Sequence, residues 1–278
     1  TMNSELIRKD FPILETKVNG HRIVYFDNAA TTQRPLPVVN AVLDYVTHDN
    51  GNPHRGAHIF AISASEAYDT SKEVVRDFLN ARSEKEIIYT RNTSESLNLV
   101  ARSYGETHLK KGDHILITIA EHHSNLVTWQ RVAEKTGAVL DYIYVDKETG
   151  HFPEEELKKI DDPRVKLFAF AEVSNVLGID FDPKPLIQRA HAHGAIVVLD
   201  GAQSTPHKKV DVQDLDCDFF AFSGHKMCAM GGIGVLYGKE ELLNDMEPFL
   251  MGGDMIEEVH EQETTYAELP AKFEAGTQ

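Results

Sequence analysis

Residues 195–203 read Ala-Ile-Val-Val-Leu-Asp-Gly-Ala-Gln, and residues 219–226 read Phe-Phe-Ala-Phe-Ser-Gly-His-Lys. In Ile196-Val197-Val198-Leu199 both alternating faces are apolar, so a strand here is covered on both sides. The same holds for Phe219-Phe220-Ala221-Phe222. Each run stops abruptly at polar residues, Asp200 and then Ser223 to Lys226. Working outward, short apolar runs alternate with helical patterns. The spacing predicts strands over 22–26, 87–90, 114–118, 139–145, 166–171, 195–200, 219–223 and 234–237. It predicts helices over 36–47, 63–80, 94–104, 125–136, 154–159, 183–193 and 240–245. That alternation gives the α/β class: a mostly parallel, mixed sheet with helices on both sides.

In such sheets ligands sit outside the carboxyl ends of the strands. The residues that follow the predicted strands are Asp27-Asn28-Ala29-Ala30, Arg91-Asn92-Thr93-Ser94-Glu95, Glu121-His122-His123, Glu172-Val173-Ser174-Asn175, Asp200-Gly201-Ala202-Gln203 and Ser223-Gly224-His225-Lys226. Polar and ionisable groups recur at one structural position, which a purely structural domain does not require. Residues 92–95 open a helix after a strand, where hydroxyls either cap free N–H groups or help hold an anion. Asp200 at the end of an apolar strand is costly to bury unpaired; it either caps a loop or pairs with a surface cation, or it holds the protonated ring nitrogen of a cofactor. Lys226, between the aromatic strand and Gly231-Gly232-Ile233-Gly234, is expected to be partly desolvated, with the lowered pKa of a Schiff-base lysine.

The chain has 278 residues, 41% hydrophobic content and a net charge of −16. No apolar run is long enough to span a bilayer, and the acidic balance argues against nucleic acid as a partner. Cys217 and Cys228 are too few for a disulfide framework. The first twenty residues carry Glu5, Arg8, Lys9 and Asp10 and lack an apolar signal region, so a cytoplasmic protein is expected. No metal site is expected. His54 and His58 are four apart but lie in a loop-like stretch, His191 and His193 do not share a helix face, and the cysteines lack zinc spacing.

Taken together these motifs resemble a family. Asp200-Gly201-Ala202-Gln203 followed by Ser223-Gly224-His225-Lys226 is similar to the cofactor signature of the class V aminotransferase group, whose members have the type I fold of pyridoxal-phosphate (PLP)-dependent transferases. His54-Arg55-Gly56, residues 91–96, Glu121-His122-His123, residues 173–178 and the closing Phe273-Glu274-Ala275-Gly276-Thr277 narrow the resemblance to the SUF-type, group II, cysteine desulfurases. It implies pyridoxal 5'-phosphate as cofactor, with Lys226 holding it covalently. Asp200 would pair with the pyridine nitrogen, Gln203 with the ring oxygen, and His122 would stack on the ring. Thr93, Ser94, Ser223 and His225 would hold the phosphate, and Asn175 would lie near the ring and the substrate carboxylate. Thr277 would reach the phosphate site of the other subunit of a homodimer. Lys226 and His122 are the expected catalytic residues.

The implied reaction converts L-cysteine to L-alanine and passes sulfur as a persulfide to a protein acceptor for iron–sulfur cluster assembly. By the same resemblance, residues 1–20 form an N-terminal segment, either part of the small domain or an arm over the active site, and residues 21–278 the large cofactor-binding domain. The small C-terminal domain, with the sulfur-accepting cysteine and the carboxylate-binding arginine, is not in this chain. An apolar surface where that domain would pack is therefore expected. Ala229-Met230-Gly231-Gly232 departs from the family's Gly-Pro-Thr-Gly and puts the order of that loop in question. Two other readings stay open: a selenocysteine lyase or another class V aminotransferase-like enzyme, and a truncated, catalytically silent chain that binds cofactor.

Overall fold

The computed structural model describes residues 3–277. Its centre is a seven-stranded sheet built from β1 (Ile87–Thr90), β2 (His114–Thr118), β3 (Val139–Ile143), β4 (Val165–Ala171), β5 (Ile196–Asp200), β6 (Phe219–Ser223) and β7 (Gly234–Gly238). The spatial order is β1-β7-β6-β5-β4-β2-β3. Pairs among β2 to β6 are parallel, and β7 runs antiparallel to both neighbours. The reason is local. β7 follows β6 after a short loop, and a parallel return would need a crossover of a dozen residues or more. That loop carries Lys226.

Alternation along the strands divides the core into two layers. Phe168, Phe170, Val197, Leu199, Phe220 and Phe222 face one side, where Leu79 of one helix and Leu186, Ile187 and Ala190 of another cover them. Those helices are α2 (Ile59–Leu79) and α5 (Pro183–Ala192), and a shorter helix, α1 (Leu36–Asp44), precedes α2. Leu167, Ala169, Val198, Phe219 and Ala221 face the other side. They meet Leu97 and Val100 of α3 (Thr93–Val100) and Trp129 and Val132 of α4 (Val127–Thr136). Every position of β1, β6 and β7 is buried, as expected of a sheet covered on both faces.

Several expected elements differ. No strand spans 22–26: His21–Arg22 pairs only with Lys17–Val18, and Phe26 is 92% exposed. The helix expected over 36–47 is regular to Asp44 and ends in a wider π-type turn, Tyr45–Asp49. The one expected over 94–104 does the same after Val100. A two-stranded ribbon, Ile256–Val259 with Thr264–Tyr266, had no apolar alternation to announce it.

α1 buries none of its residues, although Val39, Val42 and Leu43 are among them. Val24, Phe26, Ile59 and Phe60 are also exposed.

Gly234 sets the seam between β7 and the start of α3. A Cβ there would lie 2.5 Å from Asn92 Cα and 2.8 Å from Asn92 N, both backbone atoms that cannot swing aside. Gly234→Ala should therefore lose about 1–3 kcal/mol, the usual size of an overpacking penalty. Chemical denaturation measures it; an unchanged midpoint would show that the seam is loose.

Candidate active site

The carboxyl ends of β1, β2, β4, β5 and β6 open onto one cavity of about 430 Å³. Thr93, Ser94, His122, Asn175, Asp200, Gln203, Ser223, His225 and Lys226 all line it. Nine of the ten residues singled out in the sequence thus come together, drawn from five separate strand ends.

At the end of β1, Asn92 caps α3 by accepting from the Glu95 N–H at 2.9 Å. The capping role expected of the hydroxyls falls to Asn92, so those of Thr93 and Ser94 are not spent on it. Thr93 Oγ1 and Ser223 Oγ share a hydrogen bond at 2.6 Å, and the Thr93 N–H donates to Ser223 Oγ at 2.8 Å. Ser94 bonds Ser124. This hydroxyl cluster at the positive end of a helix suits an anion.

Asp200 closes β5 and is 4% exposed. Its Oδ1 accepts from the Ala202 N–H at 2.9 Å, and it forms no ion pair among the described residues. Burial pushes its carboxyl up, while the Ala202 N–H, His122 and Lys226 pull it down. Lys226 is half-buried, and burial lowers its amine, with Asp200 acting the other way. The Lys226 amine has no carboxylate partner among the described residues. A buried acid lacking a cation, an amine lacking an anion and a hydroxyl cluster fit one ligand with a cationic ring atom, a carbonyl carbon and an anionic group. Gln203 donates from Nε2 to the Ala29 carbonyl at 2.8 Å and keeps a second amide hydrogen. His122 Nδ1 accepts from the Ser124 N–H at 3.1 Å, which orients the ring.

Residues 27–34 do not follow a sheet strand as the sequence had implied. Asp27, Ala29 and Ala30 line the cavity, and Thr31 and Thr32 hold the lysine loop. The His225 carbonyl accepts from the Thr32 N–H at 3.0 Å and Thr32 Oγ1 at 2.9 Å, and His225 Nδ1 lies 3.0 Å from Thr31 Oγ1. The Cys228 N–H donates to Thr32 Oγ1 at 2.8 Å. The only sequence signal for this anchor was two adjacent hydroxyl residues.

The loop of the Ala229–Gly232 departure is closed by Met227 and Ala229 N–H groups donating to the Gly224 carbonyl at 2.8 and 3.0 Å. Backbone bonds therefore supply order that a proline would otherwise give.

Thr277 stands apart. It is exposed, and its Oγ1 donates to Asn52 Oδ1 at 2.9 Å. The segment leading to it is fixed by Glu274, whose buried carboxylate accepts from Lys72, Tyr68 and the Tyr89 N–H. Neither cysteine joins the cavity. Cys217 is fully buried, with its thiol pushed up by burial. Cys228 faces a different cavity, beside Arg8 and Phe11. His58 caps α2, and His54 bonds Asp69 at 3.0 Å.

Asp200→Asn removes the charge that raises the Lys226 amine, so the amine should lose its proton at lower pH. Acylation of Lys226 by an amine-reactive reagent, mapped by mass spectrometry, should then be faster at neutral pH in the variant. An unchanged pH profile would mean that the two groups do not sense each other.

A family model described as aminotransferase class-V matches residues 24–278. A Synechocystis sp. protein named "Probable cysteine desulfurase" is 50% identical over 271 residues, which cover 98% of this chain and 64% of that protein. One of the same name from Halalkalibacterium halodurans is 49% identical over 276 residues, covering 99% and 68%. Among solved structures, the apo cysteine desulfurase of Thermococcus onnurineus NA1 matches with a TM-score of 0.92 at 43% identity, covering all of this chain and 67% of that one. The Escherichia coli cysteine desulfurase CsdA, in an S-sulfonic acid form, gives 0.90 at 40% identity, covering 68% of its own length. This chain therefore spans about two thirds of the length of these relatives. With the sheet, the lysine loop and the match over residues 24–278 in agreement, the chain belongs to the class-V aminotransferase family.

Proposed function

We propose that this chain is the cofactor-binding part of a pyridoxal-phosphate-dependent cysteine desulfurase. The observation that carries the reading is the convergence of buried Asp200, half-buried Lys226 and the Thr93–Ser223 hydroxyl cluster in one cavity. The names of the relatives at about half identity point to the same activity.

When bound, pyridoxal phosphate supplies a carbonyl carbon for an amine and an electron-poor ring that takes up charge from the substrate's alpha carbon. In this reading Lys226 holds the cofactor covalently. Its free amine would take the alpha proton of L-cysteine and return a proton to the carbon that loses sulfur. Asp200 keeps the ring nitrogen protonated, which maintains the ring's electron demand. Gln203 donates to the ring oxygen. Thr93, Ser94, Ser223 and His225 hold the phosphate, His122 lies against the ring, and Asn175 meets the substrate carboxylate. A thiolate attacks the substrate sulfur; the carbon–sulfur bond breaks, a persulfide forms, and L-alanine leaves. The burial of Cys217 and the placement of Cys228 in another cavity support a thiol other than these two.

The working unit in this reading is a homodimer. The bare apolar side chains of α1 and the start of α2 offer a surface for it, and exposed Thr277 serves the partner's phosphate site. The persulfide sulfur goes to a protein acceptor of a SUF-type iron–sulfur assembly system in the cytoplasm. No described helix is long and apolar enough to cross a membrane.

Adding pyridoxal phosphate to the purified chain should produce a visible absorption band that shifts with L-cysteine. Borohydride reduction should fix the label on the peptide containing Lys226, and Lys226→Ala should abolish both signals. Labelling at other lysines, or a band that survives in Lys226→Ala, would refute the assignment.

A further inference from the structure

Glu121 is a buried acid that the mechanism above does not use. It lies three residues beyond β2, immediately before His122, and does not itself line the cavity. Its Oε1 accepts from Thr118 Oγ1, and its Oε2 accepts from Asn125 Nδ2 at 2.7 Å. Asn125 Oδ1 accepts in turn from Trp129 Nε1 at 2.8 Å, and Trp129 is fully buried in the core. One carboxyl group thus ties the end of β2, the turn His123–Asn125 and α4 into a single chain of hydrogen bonds. His122 sits in the middle of the segment so held.

No cation pairs with Glu121 among the described residues. The groups acting on it are Thr118 from β2, Asn125 from the turn, the Ala171 N–H from β4 and Asp200 from β5, and of these only Asp200 is titratable. Burial, reinforced by Asp200, pushes the Glu121 carboxyl up to about 8 against the pull of the three hydrogen-bond donors. Two buried acids that act on each other, of which only Asp200 is also lowered by Lys226 and His122, favour Glu121 as the one that keeps its proton. The surroundings accept that proton, because the Thr118 hydroxyl can turn from donor to acceptor.

We propose that Glu121 is a positioning residue that works in its undissociated form. It pins the turn that presents His122 to the cavity, and it leaves Asp200 as the charged member of this buried pair of acids. The proposal rests on the pyridoxal-phosphate reading of the site.

Glu121→Gln copies the shape and hydrogen bonding of the neutral acid, whereas Glu121→Ala removes the pin. Infrared difference spectra of the cofactor-free chain should show a protonated carboxyl band that disappears with a midpoint of about 8 and is missing in Glu121→Gln. Pyridoxal-phosphate affinity, followed by absorbance, should be equal in wild type and Glu121→Gln at neutral pH. Above that midpoint wild type should bind about tenfold more weakly than Glu121→Gln, since only wild type gains a charge facing Asp200. Glu121→Ala should bind weakly at every pH. Absence of the infrared band, a Glu121→Gln affinity already about tenfold lower at neutral pH, or a ratio that does not change with pH would overturn the proposal. Wild type that shows the band but binds no cofactor would instead overturn the cofactor reading, and this role with it.

Discussion

The carboxylate of Asp200 is buried at the end of an apolar strand without a cation to balance it. Such a group is costly to keep, and a domain selected only for stability would replace it. The rest of the site can be understood as what makes the cost tolerable. The Ala202 N–H accounts for one oxygen. Lys226 and His122 lower the carboxyl from across the cavity. In the proposed reading a ligand with a cationic ring atom would complete the balance, and its binding energy would offset a penalty already present in the fold.

Sheet topology brings these groups together. Six strands point the same way, so their carboxyl ends share one edge, and residues far apart in sequence meet there. β7 runs the other way, which lets the lysine loop fold directly back over that edge, with Gly234 packed against Asn92. Thr31 and Thr32 then clamp the loop from the amino-terminal side. The sheet sets the positions, and the loops supply the chemistry.

How much of this was legible beforehand follows from what each residue depends on. β4, β5 and β6 were readable because burial on both faces demands an unbroken apolar run. Asp200 and Lys226 were readable because each ends or follows such a run. Val24 and Phe26 misled, since an apolar alternation states that a surface should be covered without stating by what; among the described residues nothing covers them. The clamp by Thr31 and Thr32 and the bonds of Glu121 depend on contacts made only after folding, and hydroxyl or carboxyl residues in loops are too common to signal them. The capping role of Asn92 was blurred because Thr93 and Ser94 are equally good caps by composition.

In the proposed reading one cavity at the strand ends holds one ligand by three different chemistries. The most direct test is a crystal structure of the chain grown with pyridoxal phosphate. Continuous density is expected from Lys226 Nζ to the ligand, with the ring nitrogen at Asp200 and the phosphate beside Thr93 and Ser223. Ligand bound elsewhere, or bound in this cavity with its phosphate at Asp200, would contradict it.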